Sequence, residues 1–196
     1  MRSIFPAIIA LLLSAGVASA EGQVIEKVET YAVSGRTGPE LYASIGARGP
    51  LLAGKVRSIA HTSFRLTWRR DYQQRGTACV LASAKPKLVI TTVLPKASGP
   101  LGEPVRGNWK RFVEGVTAHE KVHGTYIREL VKEIEKATIG LAVENDPGCR
   151  KIREKMQPIL GEISRAERRK SRDFDAVEMN DGGAVHQLVL QLVNGG

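Results

Sequence analysis

Residues 108–140 read NWKRFVEGVTAHEKVHGTYIRELVKEIEKATIG. Phe112, Val116, His119, His123, Ile127, Leu130, Ile134 and Ala137 recur at steps of three and four, which is the spacing of one helix face. Asn108 suits an N-cap and Gly140 a stop. The stretch therefore predicts one long amphipathic helix whose apolar stripe is interrupted by two imidazoles. His119 and His123 are four apart, so they project from the same side, one turn from each other. Two ring nitrogens so placed can reach one tetrahedral Zn2+ ion. Glu120 lies about 100° round the helix, beside such an ion rather than on it. From there a carboxylate can take a proton from an activated water and pass it to a leaving amine. The competing reading is two core histidines with a surface glutamate between them, which would leave two imidazoles uncompensated in a core.

A tetrahedral site needs a third protein donor. Glu129 follows His123 by six residues, but Tyr126 stands where a glycine would have to break the helix. Glu129, Glu133 and Glu135 therefore read as a solvated face. The third donor has to come from downstream, and Glu154, Glu162, Asp175, Glu178, Asp181 and His186 all remain open by position alone.

Downstream, Asp146-Pro147 predicts the start of a second helix with Pro at its first position. Ile152, Met156, Leu160 and Ile163 mark its apolar face, and Pro158 predicts a kink or break. From Asp173 onward the pattern is less regular. Upstream, the chain reads as strands. Val24 to Val33 is one, and a short helix is expected over Glu40 to Ile45. Phe64, Leu66 and Trp68 alternate with Arg65, Thr67 and Arg69, the period of a half-buried strand. Cys79 to Ala84 and Leu88 to Leu94 read as two more, the second ending at Pro95. Leu88 to Leu94 is either an internal strand or an edge along which an extended peptide could pair. His61 reads as a surface or packing residue. The fold class expected is α+β: a small antiparallel sheet over 24–95, then two long helices over 108–172 and an irregular tail over 173–196, all in a single domain spanning 21–196.

Residues 1–20 read MRSIFPAIIALLLSAGVASA. A basic residue, a short apolar core and Ala18-Ser19-Ala20 form the pattern of a secretory signal cleaved near Ala20. The apolar run is short for a membrane span, so the mature form is expected to carry no transmembrane segment and to be periplasmic or secreted. In an oxidising compartment the two cysteines, Cys79 and Cys149, read as one disulfide closing a loop of about seventy residues. The alternative is two free buried thiols. The net charge is +9, concentrated in the run RAERRKSR at 165–172. Such a run is a solvated helix face or a peripheral contact with an anionic envelope surface. No aromatic residue interleaves with it, so a base-stacking platform is not indicated and nucleic acid is not an expected partner.

The chain also resembles a family of bacterial exported proteins, family of unknown function 922, described as predicted secreted zinc-dependent proteases. The resemblance rests on YAVSG at 31–35, RLTWRRDY at 65–72, Cys79, LVITTVLP at 88–95, Trp109 and Phe112 ahead of HEKVH, and Cys149 beyond it. It covers nearly all of the mature chain. It implies a zincin-like fold and a metallopeptidase that acts on peptide or protein substrates, with His119 and His123 as zinc ligands and Glu120 as the base. The family tends to end with Tyr-Asp followed by Thr, His and Gly. Here the corresponding residues are Phe174-Asp175, then Glu178 and Asn180-Asp181-Gly182. With one residue inserted, Asp181 stands in for the family histidine as third ligand, and Asp175 is the next candidate. Phe174 in place of Tyr removes a hydroxyl that could donate to an oxyanion. The alternative function is a non-catalytic exported protein that binds zinc or associates with the envelope.

Overall fold

The computed structural model describes residues 22–52 and 54–195. The expected signal segment lies outside them. Strand β1 (Gln23–Val33) is followed by helix α1 (Gly38–Arg48). Helix α1 starts on a capping box. Thr37 Oγ1 accepts from the Glu40 N–H, and the Glu40 carboxylate accepts from the Thr37 N–H in return. A two-residue hairpin, β2 (Leu51–Leu52) with β3 (Val56–Arg57), leads into the long strand β4 (His61–Arg75). A turn at Gly76, with φ +60°, returns the chain along β5 (Ala78–Ala97). Helix α2 (Val105–Thr138), the short β6 (Ala142–Val143), helix α3 (Lys151–Met179) and helix α4 (Ala184–Asn194) complete the chain.

The α+β architecture is as expected, with helices following a small sheet. One pairing differs. The sheet order is β1-β5-β4, with β4 antiparallel to β5 but β1 parallel to it, so the sheet is mixed. Leu88 to Leu94 lies in the central strand, paired with β1 throughout and with β4 as far as Val93. It therefore cannot pair with a substrate, and the edge-strand alternative for it is excluded. The two strands expected at 79–84 and 88–94 are one continuous strand through Pro86 and Pro95. Pairing with β1 begins only at Lys87, and pairing with β4 ends at Val93. Each proline thus sits where β5 has a single neighbour, and its missing N–H can fall on the free side.

The helices run longer than the sequence pattern indicates. Helix α2 begins at Val105, so Asn108 is a buried residue inside it and not its cap. The Glu103 carboxylate instead accepts from the Gly107 N–H at 3.1 Å. Helix α3 runs unbroken through Pro158. Pro158 and Glu154 are both exposed, so water can satisfy the Glu154 carbonyl that loses its helical donor. Asp146 lies before α3, and its buried carboxylate accepts from the backbone N–H groups of Arg150, Lys151 and Ile152. The segment expected to be irregular, 173–196, holds the end of α3 and all of α4.

Leu88 and Ile90 of β5 pack on Ile127 and Val131 of α2, which fixes the helix across the sheet. A second cluster joins Val33, Leu41, Ile45 and Leu94 to Phe112, Val116 and Leu192. At this junction α1 meets the backbone of α4 so closely that a Cβ on Gly38 would lie 1.8 Å from the Leu192 carbonyl oxygen, which only glycine allows. A third cluster surrounds the disulfide between Cys79 and Cys149, which ties the start of β5 to the start of α3. Among the described residues, no helix is long and apolar enough to cross a membrane.

Candidate metal centre

Helices α2 and α3 lie side by side and antiparallel. Glu178 approaches His119, Asp175 meets both histidines, and Lys170 pairs with Glu129 further along α2. The packing of Ile127 against the sheet turns the His119–His123 face of α2 into a cleft of about 400 Å³ between α2, α3 and β4. His119 and Glu120 are buried, and His123 is nearly so.

The two ring Nε2 atoms are 3.2 Å apart. Asp175 Oδ1 lies 2.9 Å from the Nε2 of His123 and 3.2 Å from that of His119. Three donor atoms from two helices therefore converge on one small triangle. Hydrogen bonding alone does not account for it. Each imidazole can aim one Nε2–H at Asp175, but the two nitrogens then face each other with nothing between them. A tetrahedral zinc with bonds of ~2.0–2.1 Å separates its ligands by about 3.3–3.4 Å, close to the two spacings of 3.2 Å and longer than the third, 2.9 Å. Two nitrogens and a carboxylate oxygen are also a donor set that zinc accepts.

The surroundings carry a charge imbalance. Burial acts to raise the pKa of Asp175, but hydrogen bonds from His119 and His123 and their charges outweigh it, holding the carboxyl well below its usual range. Burial acts to lower the pKa of His123. The Asp175 hydrogen bond, with the charges of Asp175, Glu120 and Glu167, overcomes this and raises it. At the cluster, two buried polar atoms have no hydrogen-bond partner: Glu120 Oε2 and His119 Nδ1. Glu120 also lines the cleft, and its unpartnered Oε2 is sealed from bulk solvent. The nearest acid to His119 Nδ1 is Glu178, at 3.8 Å. Phe174 stacks on the His119 ring at 4.8 Å and meets His123 edge-on at 5.5 Å, which fixes both ring planes.

The expected pair and Glu120 are thus brought together. The third donor atom of the cluster belongs to Asp175 and not to Asp181. Asp181 is fully exposed in the turn after α3, where its nearest partner is His186 at 4.0 Å. His186 Nδ1 accepts from the Gly182 N–H in that same turn. Glu162 pairs with Arg165 and Arg169, and Glu154 is exposed on α3. His61, read from sequence as a surface or packing residue, lines the cleft, as do Phe64, Glu167, Ser171 and Met179. The i, i+4 spacing of Glu167, Ser171, Asp175 and Met179 was the available signal for the α3 wall, once α3 is known to continue past Arg172. The cations of the run at 165–172 are exposed on α3, and Arg165, Arg169 and Lys170 are tied into ion pairs.

The family model described as "Bacterial protein of unknown function (DUF922)" matches residues 28–183. That span includes every residue of the cluster. Neither a curated protein nor a solved structure matches the chain.

Proposed function

The chain belongs to this bacterial family of unknown function, and we propose that it is an exported zinc-dependent peptidase in which His119, His123 and Asp175 hold the metal and Glu120 is the general base. The observation that carries the reading is the convergence of three donor atoms beside a buried glutamate oxygen that has no partner. Bound there, zinc would polarise a substrate carbonyl and lower the pKa of a water towards ~7.

The protein groups have separable tasks. Glu120 Oε2 accepts the proton of the attacking water and returns it to the leaving amine. Its burial keeps competing water away from that oxygen. Phe174 holds the imidazoles in plane. Strand β4 bounds the cleft through His61, Thr62 and Phe64, and β5 is its only strand partner among the described residues. An extended peptide can pair with the free edge of β4 and pass over the cluster, the role the central strand cannot take. Export is supported by the N-terminal pattern and by the disulfide.

The test is hydrolysis of a casein or mixed-peptide substrate by zinc-loaded protein. Activity is expected to vanish with a chelator, return with zinc, and fall at least ~10²-fold in Glu120→Gln with the metal content unchanged. Equal hydrolysis by wild type and Glu120→Gln would overturn the mechanism. Tight zinc binding with no hydrolysis at all would favour the non-catalytic reading. The observation on that side is Phe174, which offers the cluster a ring face and no hydroxyl.

A further inference from the structure

The segment 165–172 holds five cations and a single acid, Glu167. In a helix so basic, an acid would be expected to pair with a neighbour. Instead Arg165 and Arg169 pair with Glu162, and Lys170 pairs with Glu129 across on α2. Among the described residues, Glu167 makes no ion pair. It turns into the cleft, where Ser171 Oγ donates to its Oε1 at 2.9 Å. That bond anchors one carboxylate oxygen and leaves the other for a ligand. Phe64 on β4 lines the same cleft and keeps 41 % of its surface exposed. A carboxylate and an exposed aromatic ring in one cleft match the two parts of a lysine or arginine side chain, a cationic head and an apolar stem.

Resting on the peptidase reading above, the geometry points to Glu167 as a specificity-determining residue that selects substrates with a lysine or arginine close to the scissile bond. Glu167 precedes Asp175 by two helical turns, about 12 Å along the axis. An extended peptide rises ~3.3 Å per residue, and a long side chain covers part of the distance. The cation therefore falls roughly two to three residues from the bond that is cut. The preference runs against the net charge of +9, which by itself attracts acidic peptides.

The test uses internally quenched decapeptides with lysine, norleucine or glutamate placed in turn at each central position. For zinc-loaded wild type, kcat/KM at one position is expected to favour lysine over norleucine by about tenfold or more. Glu167→Gln, checked for an unchanged thermal melt and zinc content, should cut that ratio to about threefold or less, chiefly through KM. Glu167→Lys should invert it in favour of glutamate. Hydrolysis with a lysine preference that Glu167→Gln leaves intact, or with no lysine preference, overturns the inference while the peptidase reading stands. Should no peptide be cut, that reading fails, and fluorescence anisotropy of the same labelled peptides on Glu120→Gln protein decides the inference separately. Tighter binding of the lysine peptide that is lost with Glu167→Gln supports it, and equal binding of lysine and norleucine peptides overturns it.

Discussion

Along α3 each residue turns the side chain by about 100°, so Glu167, Ser171, Asp175 and Met179 share one face, the one that walls the cleft. Asp181 lies past the helix end and has left that face. Removing the proposed ligand and removing an exposed turn residue should therefore differ sharply. Asp175→Ala is expected to weaken zinc binding at least ~100-fold in a chelator-competition titration, while Asp181→Ala stays within about twofold of wild type. A matching loss in Asp181→Ala would place the third donor in the turn. The two histidines and Glu120 were readable from sequence because i, i+4 spacing on a continuous helix fixes their relative position. The choice between Asp175 and Asp181 was not readable. It depends on how far α3 extends and on the register in which α3 packs against α2.

Among the elements, α3 does the most to complete the site, and its start is held by Asp146. Burial acts to raise the pKa of that carboxyl, but three backbone N–H groups and the charge of Lys151 outweigh it, so the folded pKa lies below the ordinary value. Its stabilisation is therefore complete above the usual aspartate pKa near ~4 and is lost as pH falls through the lower folded value. Asp146→Ala should melt roughly 3–6 °C below wild type at neutral pH, and the gap should narrow as the pH falls below the usual aspartate pKa near ~4. Scanning calorimetry across that range checks both the size and the sign. The element pattern also shows where sequence reading loses force. Alternation in RLTWRRDY located β4, and the apolar stripe located α2. Nothing in β1 announces that it pairs in parallel, since its direction is set by the crossover through α1 and the hairpin. Pro95 and Pro158 read as breaks because sequence does not reveal which edge or face is free to absorb a missing N–H.

For the whole molecule, the Cys79–Cys149 bond spans seventy residues and joins the sheet to the helix that carries Asp175. Replacing both cysteines with serine is expected to cost about 4 kcal/mol in urea unfolding, from the released loop entropy. A loss below ~1 kcal/mol would mean that packing alone docks α3. The cluster itself is divided along the chain, with Asp175 following His123 by 52 residues. A polypeptide that emerges N-terminus first therefore presents both imidazoles long before the carboxylate that closes the triangle. The order of synthesis acts as a delay line. On the metal-binding reading proposed above, a growing or truncated chain would hold only an open, weak half-site, and full metal capture would wait until nearly the last helix had been delivered.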